Sequence, residues 1–219
     1  MKIGGMKIIG YVNPETLVGK SAPFYPVKHS GVCLIVGTAP CWKEDLDAAL
    51  KIFPNADICA VNEAVRLVKA DHIATSHDGK ITDFHKLHLA THGYKKGDIV
   101  DVHFRSPQLE KRESPAFFAW DVTVGAGSAP FAAAVMVLIG YDLAVFVGCP
   151  MDGGGGYAFD KSETHKSTVD DPRFGFIDPK HQLVQSWKIA LKNMPKAIPE
   201  LTAKWRSMSG YTQTIFGGP

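Results

Sequence analysis

Cysteine is scarce in this chain, with four in 219 residues, at positions 33, 41, 59 and 149. Their spacing fits neither a zinc knuckle nor a disulfide framework, so neither device is expected to hold the fold together. Cys33, Cys59 and Cys149 sit inside apolar runs and Cys41 follows Pro40, which points to reduced, mostly buried thiols. An excess of one charge is also missing: 24 Lys and Arg stand against 22 Asp and Glu, interspersed, for a net charge of +2. That balance argues against the concentrated basic face of a nucleic-acid binder. No apolar run approaches the roughly 20 residues of a membrane span. The opening MKIGGMKIIGYV is too short and glycine-broken in its apolar part for a secretory signal. A soluble, cytoplasmic protein is the expectation. There is no internal repeat, and no low-complexity segment beyond one glycine run. Neither a P-loop nor a full dinucleotide fingerprint occurs, which weighs against ATP hydrolysis and hydride transfer.

What is present reads as alternating strand and helix, in a length suited to one α/β domain rather than two. GVCLIVG (31–37) is a β-branched apolar run ending in glycine, a buried strand by composition. PCWKEDLDAALKIF (40–53) follows, with proline and acids early and Leu46, Ala49, Leu50 and Phe53 on one helical face. ADICAVN (56–62) predicts a second strand, EAVRLVKA a short helix, and DHIATSH (71–77) a third strand. FHKLHLATHGYKKGDIVDVHFRS fits a helix and a strand or two strands around Lys-Lys-Gly, and two strands are favoured. FFAWDVTV (117–124) leads into GAGSAPFAAAVMVLIG, where Ser128 suits a cap, Pro130 a first turn and Gly140 a helix end. YDLAVFVGCP (141–150) is another buried strand. Residues 161–178 carry no period and read as a lid-like loop. PKHQLVQSWKIALKNM (179–194) reads as the last long helix, and the tail as a short helix and surface arm. The expectation is a single Rossmann-like α/β domain spanning 1–219, with a mostly parallel sheet and helices on both faces. Its core covers about 31–195 and its C-terminal arm 196–219.

In such a sheet, ligands gather outside the carboxyl ends of the strands, where helix N-termini favour anions. Two glycine-started, proline-braced turns fall there: Gly37, Thr38 and Ala39 before Pro40, and the Gly127-Ser128 turn before Pro130. Each suits a nucleotide's phosphates or sugar, and each is equally an ordinary strand-to-helix turn. Asn62 reads either as a hydrogen-bonding group for a base or ribose, or as a turn residue tolerant of left-handed backbone. His77 and Asp78, before Gly79, offer an acid-base pair, a metal site or a turn. His85, His88 and His92 have no supporting carboxylate or thiol at ligand spacing, so surface or core histidines are preferred to a metal site. His165 and His181 flank the lid-like stretch, within reach of general-base work.

The stretch GSAPFAAAVMVLIGYDLAVFVGCPMDGGGGYAFD resembles the core of the bacterial sialyltransferases of glycosyltransferase family 42. There a Thr-Ser-Gly turn leads into an alanine-rich helix, Gly-Tyr, a buried strand, a Gly/Ser loop and Tyr-Ala-Phe-Asp. LIVGTAP resembles that family's Gly-Asn-Gly-Pro-Ser opening, and CAVNEA its Cys-Asn strand end. The resemblance implies a fold binding a cytidine-monophosphate sugar, with transfer to an acceptor hydroxyl and no required metal or other cofactor. By position it assigns Gly37, Thr38, Ala39, Asn62, Gly127 and Ser128 to the nucleotide and Tyr157 to the departing phosphate. Departures are plain: Thr38 replaces the family's asparagine, Pro40-Cys41 its Pro-Ser, and Met151 its other phosphate-binding tyrosine. Its catalytic histidine has no aligned counterpart, and His165 and His181 are the nearby ones. A related group, similar to archaeal hydroxymethylpterin pyrophosphokinases and including phage-type relatives, shares the Gly-x-Gly-Pro-Ser opening.

Three readings follow. The first is a sialyltransferase-like enzyme in which Tyr157 acts on phosphate and His165 or His181 deprotonates the acceptor. The glycine run 153–156 then serves as a hinge for closure over donor. The second is a Rossmann-like nucleotide-binding or assembly protein without catalysis, of bacterial or phage origin. The third is a magnesium-dependent pyrophosphokinase-like enzyme, with Asp78 and Asp152 sharing Mg2+. The expected partners are a nucleotide or nucleotide sugar and an acceptor; nucleic acid and a membrane span are not expected, and homo-oligomerisation is left open.

Overall fold

The computed structural model describes residues 2–3, 6–12, 19–20, 28–94, 100–105, 117–121, 124, 127–151 and 182–219. Among these residues the chain forms an α/β fold around a ten-stranded sheet. Its first strong strand is β4 (Val32–Val36), after β1 (Lys2–Ile3), β2 (Met6–Val12) and β3 (Gly19–Lys20). Cys33 and Ile35 enter one core layer, while Leu34 and Val36 enter the other. The two-residue period therefore serves two cores, which is why the run is apolar at every step.

The same alternation places β5 (Asp57–Val61), β6 (His72–Thr75), β7 (Asp101–Arg105), β8 (Phe117–Asp121) and β9 (Leu143–Val147). β10 (Trp205–Ser207) closes one edge. The order is β1-β2-β8-β7-β6-β5-β4-β9-β10, with β3 beside β2. From β8 to β10 all seven strands are parallel. The antiparallel β2 pairs with β8, and β1 and β3 pair with β2. Chain order reverses between β4 and β9, which defines the topological switch point.

Helices α1 (Trp42–Ile52) and α2 (Ile81–His92) bury Leu46, Ala49, Ile81 and Phe84 on one face. On the other lie α3 (Ser128–Ile139), α4 (Gln182–Ala197), α5 (Pro199–Thr202) and α6 (Gly210–Phe216). Alanines 132–134 of α3 are fully buried, so the small side chains let this helix sit close to the sheet.

Three expectations need correction. The 84–106 stretch was favoured as two strands; it holds most of helix α2, closed by Gly93 at φ 61, and then β7. Ile81, Phe84 and His88 are its buried positions, a helical stripe obscured by its histidines. The segment after β5 is a short helix as expected, but of the 3-10 type and confined to Asn62–Arg66 rather than running on to Ala70. The C-terminal stretch is not a surface arm: β10 pairs parallel with β9, and Trp205 is fully buried against Phe146 and Phe216. All four cysteines are free, with Cys33, Cys59 and Cys149 buried, as their apolar surroundings predict. The glycine run and residues 161–178 lie outside the described residues.

Candidate functional site

At the carboxyl ends of β4 and β9 the switch point is stitched together by its own backbone. The Gly37 amide donates to the Val147 carbonyl at 2.8 Å and the Ala39 amide to the Gly148 carbonyl at 3.1 Å. The turn assigned by resemblance to a nucleotide thus commits two of its donors internally, with half-buried Thr38 between them. Glycine is required for that approach. A Cβ on Gly37 would lie 2.4 Å from Cys149 Sγ, and one on Gly148, at φ +60, 2.6 Å from Trp42 Cβ. Asp45 of α1 secures the arrangement, since its Oδ2 accepts from Gly148 N at 2.9 Å and Ser209 Oγ at 2.6 Å. From the C-terminal segment, Thr212 Oγ1 donates to the Cys149 carbonyl at 2.9 Å.

One strand further along the same edge, polar groups converge from three segments. Asn62 closes β5 in left-handed backbone at φ 53. Thr75 Oγ1 donates to Asn62 Oδ1 at 2.7 Å and accepts the His77 amide at 3.0 Å. In this arrangement the Asn62 amide oxygen is committed to Thr75 and its Nδ2 group remains as a donor. Opposite stands the start of α3. Ser128 Oγ accepts the Ser76 amide at 3.0 Å and shares a 2.7 Å bond with Ser76 Oγ. Ser128 therefore does not cap its helix as the sequence suggests; Gly127, at φ 91, precedes the first turn and no side chain caps it. Pro130 has no N–H and the Phe131 amide donates to the Gly127 carbonyl at 3.5 Å, so the amides of Ser128 and Ala129 are the first-turn donors without a partner among the described residues.

Asn62, His77, Gly127 and Ser128 are brought together, while Gly37, Thr38 and Ala39 belong to the switch-point brace. Asp78 opens a 3-10 turn beside His77, and its side chain lies outside the described atoms. Asp152, Tyr157, His165 and His181 lie outside the described residues. Met151, where the resembled family has tyrosine, is left-handed at φ 55. Asn62 and Met151 are the non-glycine residues at positive φ among those described. Both follow strands at the carboxyl edge, where strained backbone commonly accompanies a binding site.

His85, His88 and His92 are accounted for otherwise. His88 is buried, accepts the Ala70 amide at Nε2 and lies 3.0 Å from the Val65 carbonyl at Nδ1. His92 Nε2 lies 2.8 Å from that same carbonyl. These rings tie α2 to the 3-10 turn, and His85 stacks edge-on against Phe117.

A second polar cluster, which the sequence reading missed, occupies the opposite, amino-terminal edge. His29, Asp57 and His72 place ligand-type atoms within 4.8 Å of one another. His72 Nε2 lies 2.9 Å from Tyr141 Oη, which donates a very short bond to Asp57 Oδ2. His72 Nδ1 lies 3.2 Å from His103 Nε2, and Trp120 Nε1 donates to His103 Nδ1 at 3.1 Å. Burial pushes His72 down to about 3, with the nearby His29 adding to the effect. Burial likewise holds His103 well below the ordinary histidine range. The available signal was histidine within otherwise apolar strand runs, HIAT and DVHFR.

No protein-family model matches the chain, and neither a curated protein nor a solved structure matches it significantly. Among the described residues, no helix is long and apolar enough to cross a membrane.

Proposed function

We propose that the carboxyl-edge cluster holds a nucleotide, and that the protein is a sialyltransferase-like transferase using a cytidine-monophosphate sugar. The observation that carries this reading is the Asn62 amide, whose oxygen accepts from Thr75 so that its Nδ2 group is left to donate. Beside it stand the Ser76–Ser128 hydroxyl pair and the uncapped start of α3. A donor amide suits the O2 and N3 acceptors of cytosine or a ribose oxygen. The Ser128 and Ala129 amides at the start of α3 suit phosphate. In this reading Tyr157 donates to the phosphate as charge develops there, and His165 or His181 takes the acceptor's proton. The reaction needs no metal.

A second reading, nucleotide binding without turnover, is favoured by Met151 in place of a phenol and by the committed Gly37 and Ala39 amides. A thermal-shift panel of nucleotides and nucleotide sugars, with and without Mg2+, tests the proposal. Ligand at about a hundred times its Kd adds about 2.7 kcal/mol, which for a chain of this size raises the Tm by about 5–10 °C. A shift with cytidine monophosphate that Asn62→Ala abolishes is the expected result. No shift with any nucleotide would overturn it. Turnover of a bound cytidine-monophosphate sugar, lost in Tyr157→Phe with little change in Kd, separates the transferase from the binding protein. A strict Mg2+ requirement would favour pyrophosphoryl transfer through Asp78 and Asp152.

A further inference from the structure

The amino-edge cluster can be read proton by proton. Trp120 Nε1 only donates, so His103 Nδ1, which it meets at 3.1 Å, is an acceptor. A neutral His103 then carries its hydrogen on Nε2, directed at His72 Nδ1 across 3.2 Å. His72 accepts there and carries its own hydrogen on Nε2, directed at Tyr141 Oη at 2.9 Å. The opposite end gives the same answer independently. The Asp57 carboxylate only accepts, the Tyr141 hydroxyl donates to it, and the phenol oxygen is therefore free to accept from His72. Four hydrogens fill four bonds in one direction: Trp120 to His103 to His72 to Tyr141 to Asp57.

The chain crosses the sheet. It joins Trp120 of β8, His103 of β7, His72 of β6 and Asp57 of β5 to Tyr141, which leads into β9. Trp120, His103, His72 and Tyr141 are essentially inaccessible to water, so bulk solvent does not repair a broken link. His29, Asp57 and His72 have the composition of a metal site. Coordination through His72 Nε2 would displace its hydrogen to Nδ1, facing His103. His103 would then have to turn a hydrogen toward the Trp120 N–H, setting two donors against each other.

An added proton has the same difficulty. The open positions for it are His72 Nδ1 and His103 Nδ1, and each already faces a donor. We propose that this chain, which runs obliquely from Trp120 near the carboxyl end of β8 to Asp57 at the amino end of β5, is an acid-sensitive lock that opens in one step when either buried histidine takes a second proton. The titratable groups around it are His29, stacked on Tyr141 and 3.9 Å from Asp57, Cys33 of β4, Cys59 and Asp57 of β5, Asp71 before β6, and Asp101 of β7. Of these, His29 and Asp57 are the partly exposed route by which protons arrive.

The test is long-range 1H–15N spectroscopy of the full chain, labelled at histidine and tryptophan, titrated downward from pH 8. His72 and His103 should both appear as neutral Nε2–H tautomers. They should disappear together with the Trp120 indole signal in a single acid transition. An Nδ1–H tautomer at either ring, or separate reversible titrations in the folded protein, would overturn the lock. So would stoichiometric Zn2+ binding at neutral pH that shifts His72. Trp120→Phe removes the donor that sets the direction. His103 can then present Nε2 as an acceptor, and a protonated His72 becomes tolerable. In that variant His72 should titrate within the folded state, with its midpoint raised by about one pH unit. An unchanged midpoint in a folded variant would also sink the proposal. If that variant does not fold, the wild-type tautomers and their shared transition still decide.

Discussion

Asn62 does two separable things, and substitution tells them apart. Its backbone is left-handed at φ 53, a conformation that asparagine tolerates better than most residues and glycine adopts freely. Its side-chain oxygen also satisfies the hydroxyl of Thr75, a fully buried residue. Asn62→Ala removes that acceptor and keeps a Cβ in strained backbone, so it should cost about 2–3 kcal/mol. Asn62→Gly loses the same bond but relieves the backbone, and its cost should be smaller by about 1 kcal/mol. Urea unfolding of the two variants measures the difference, and equal losses would remove the backbone part of the argument. Both should lose the nucleotide-induced stabilisation, because both lack the donor amide.

Between elements, the decisive contact is the crossing of the β4 and β9 loops. Gly148→Ala places a methyl 2.6 Å from Trp42 Cβ and 2.8 Å from its Cα, in left-handed backbone, against helix α1. Neither obstacle is a flexible side-chain end, so the substitution should cost about 3 kcal/mol or more. Gly79 is the control, since a Cβ there meets nothing within 4 Å, and Gly79→Ala should stay within about 0.5 kcal/mol of the parent. Similar losses at both positions, by urea unfolding, would contradict the brace. Strands such as 32–36 were legible from sequence because a run buried on both faces is apolar at every position. Trp205–Ser207 was not legible. Three residues carry no period, and their place in the sheet is set by the packing of Trp205 against Phe146 and Phe216. Asn62, His77 and Ser128 could be placed at strand or helix ends from local pattern alone. That Ser128 binds Ser76, or that Gly37 and Ala39 donate to β9 and its loop, depends on contacts between distant parts of the chain. Local periodicity cannot carry those.

For the molecule as a whole, the buried histidines determine how stability responds to acid. His72 and His103 are neutral in the fold and take up protons at about pH 6.5 once unfolded. Their folded pKa values are depressed, so the unfolded state binds more protons as pH falls, and stability is lost from about pH 6.5 downward. Between pH 7 and pH 5 each fully buried histidine should remove about 2 kcal/mol. Partly exposed His29 and His85, and buried His88, whose bonds to the Val65 and Ala70 backbone oppose the effect, are shifted in the same direction by burial and add further losses. Asp101 opposes them. Burial raises it to about 6, so its protonated form favours the fold below that pH, by at most about 1 kcal/mol after solvent screening. The net expectation is a loss of about 3 kcal/mol or more on going from pH 7 to pH 5. Urea unfolding at the two pH values, at constant ionic strength, measures it. Replacing Asp101 with Asn should steepen the dependence between pH 6 and 5, because the opposing group is gone. A flat profile over this range would mean that His72 and His103 take up protons within the fold, and would remove the basis for an acid-sensitive amino edge.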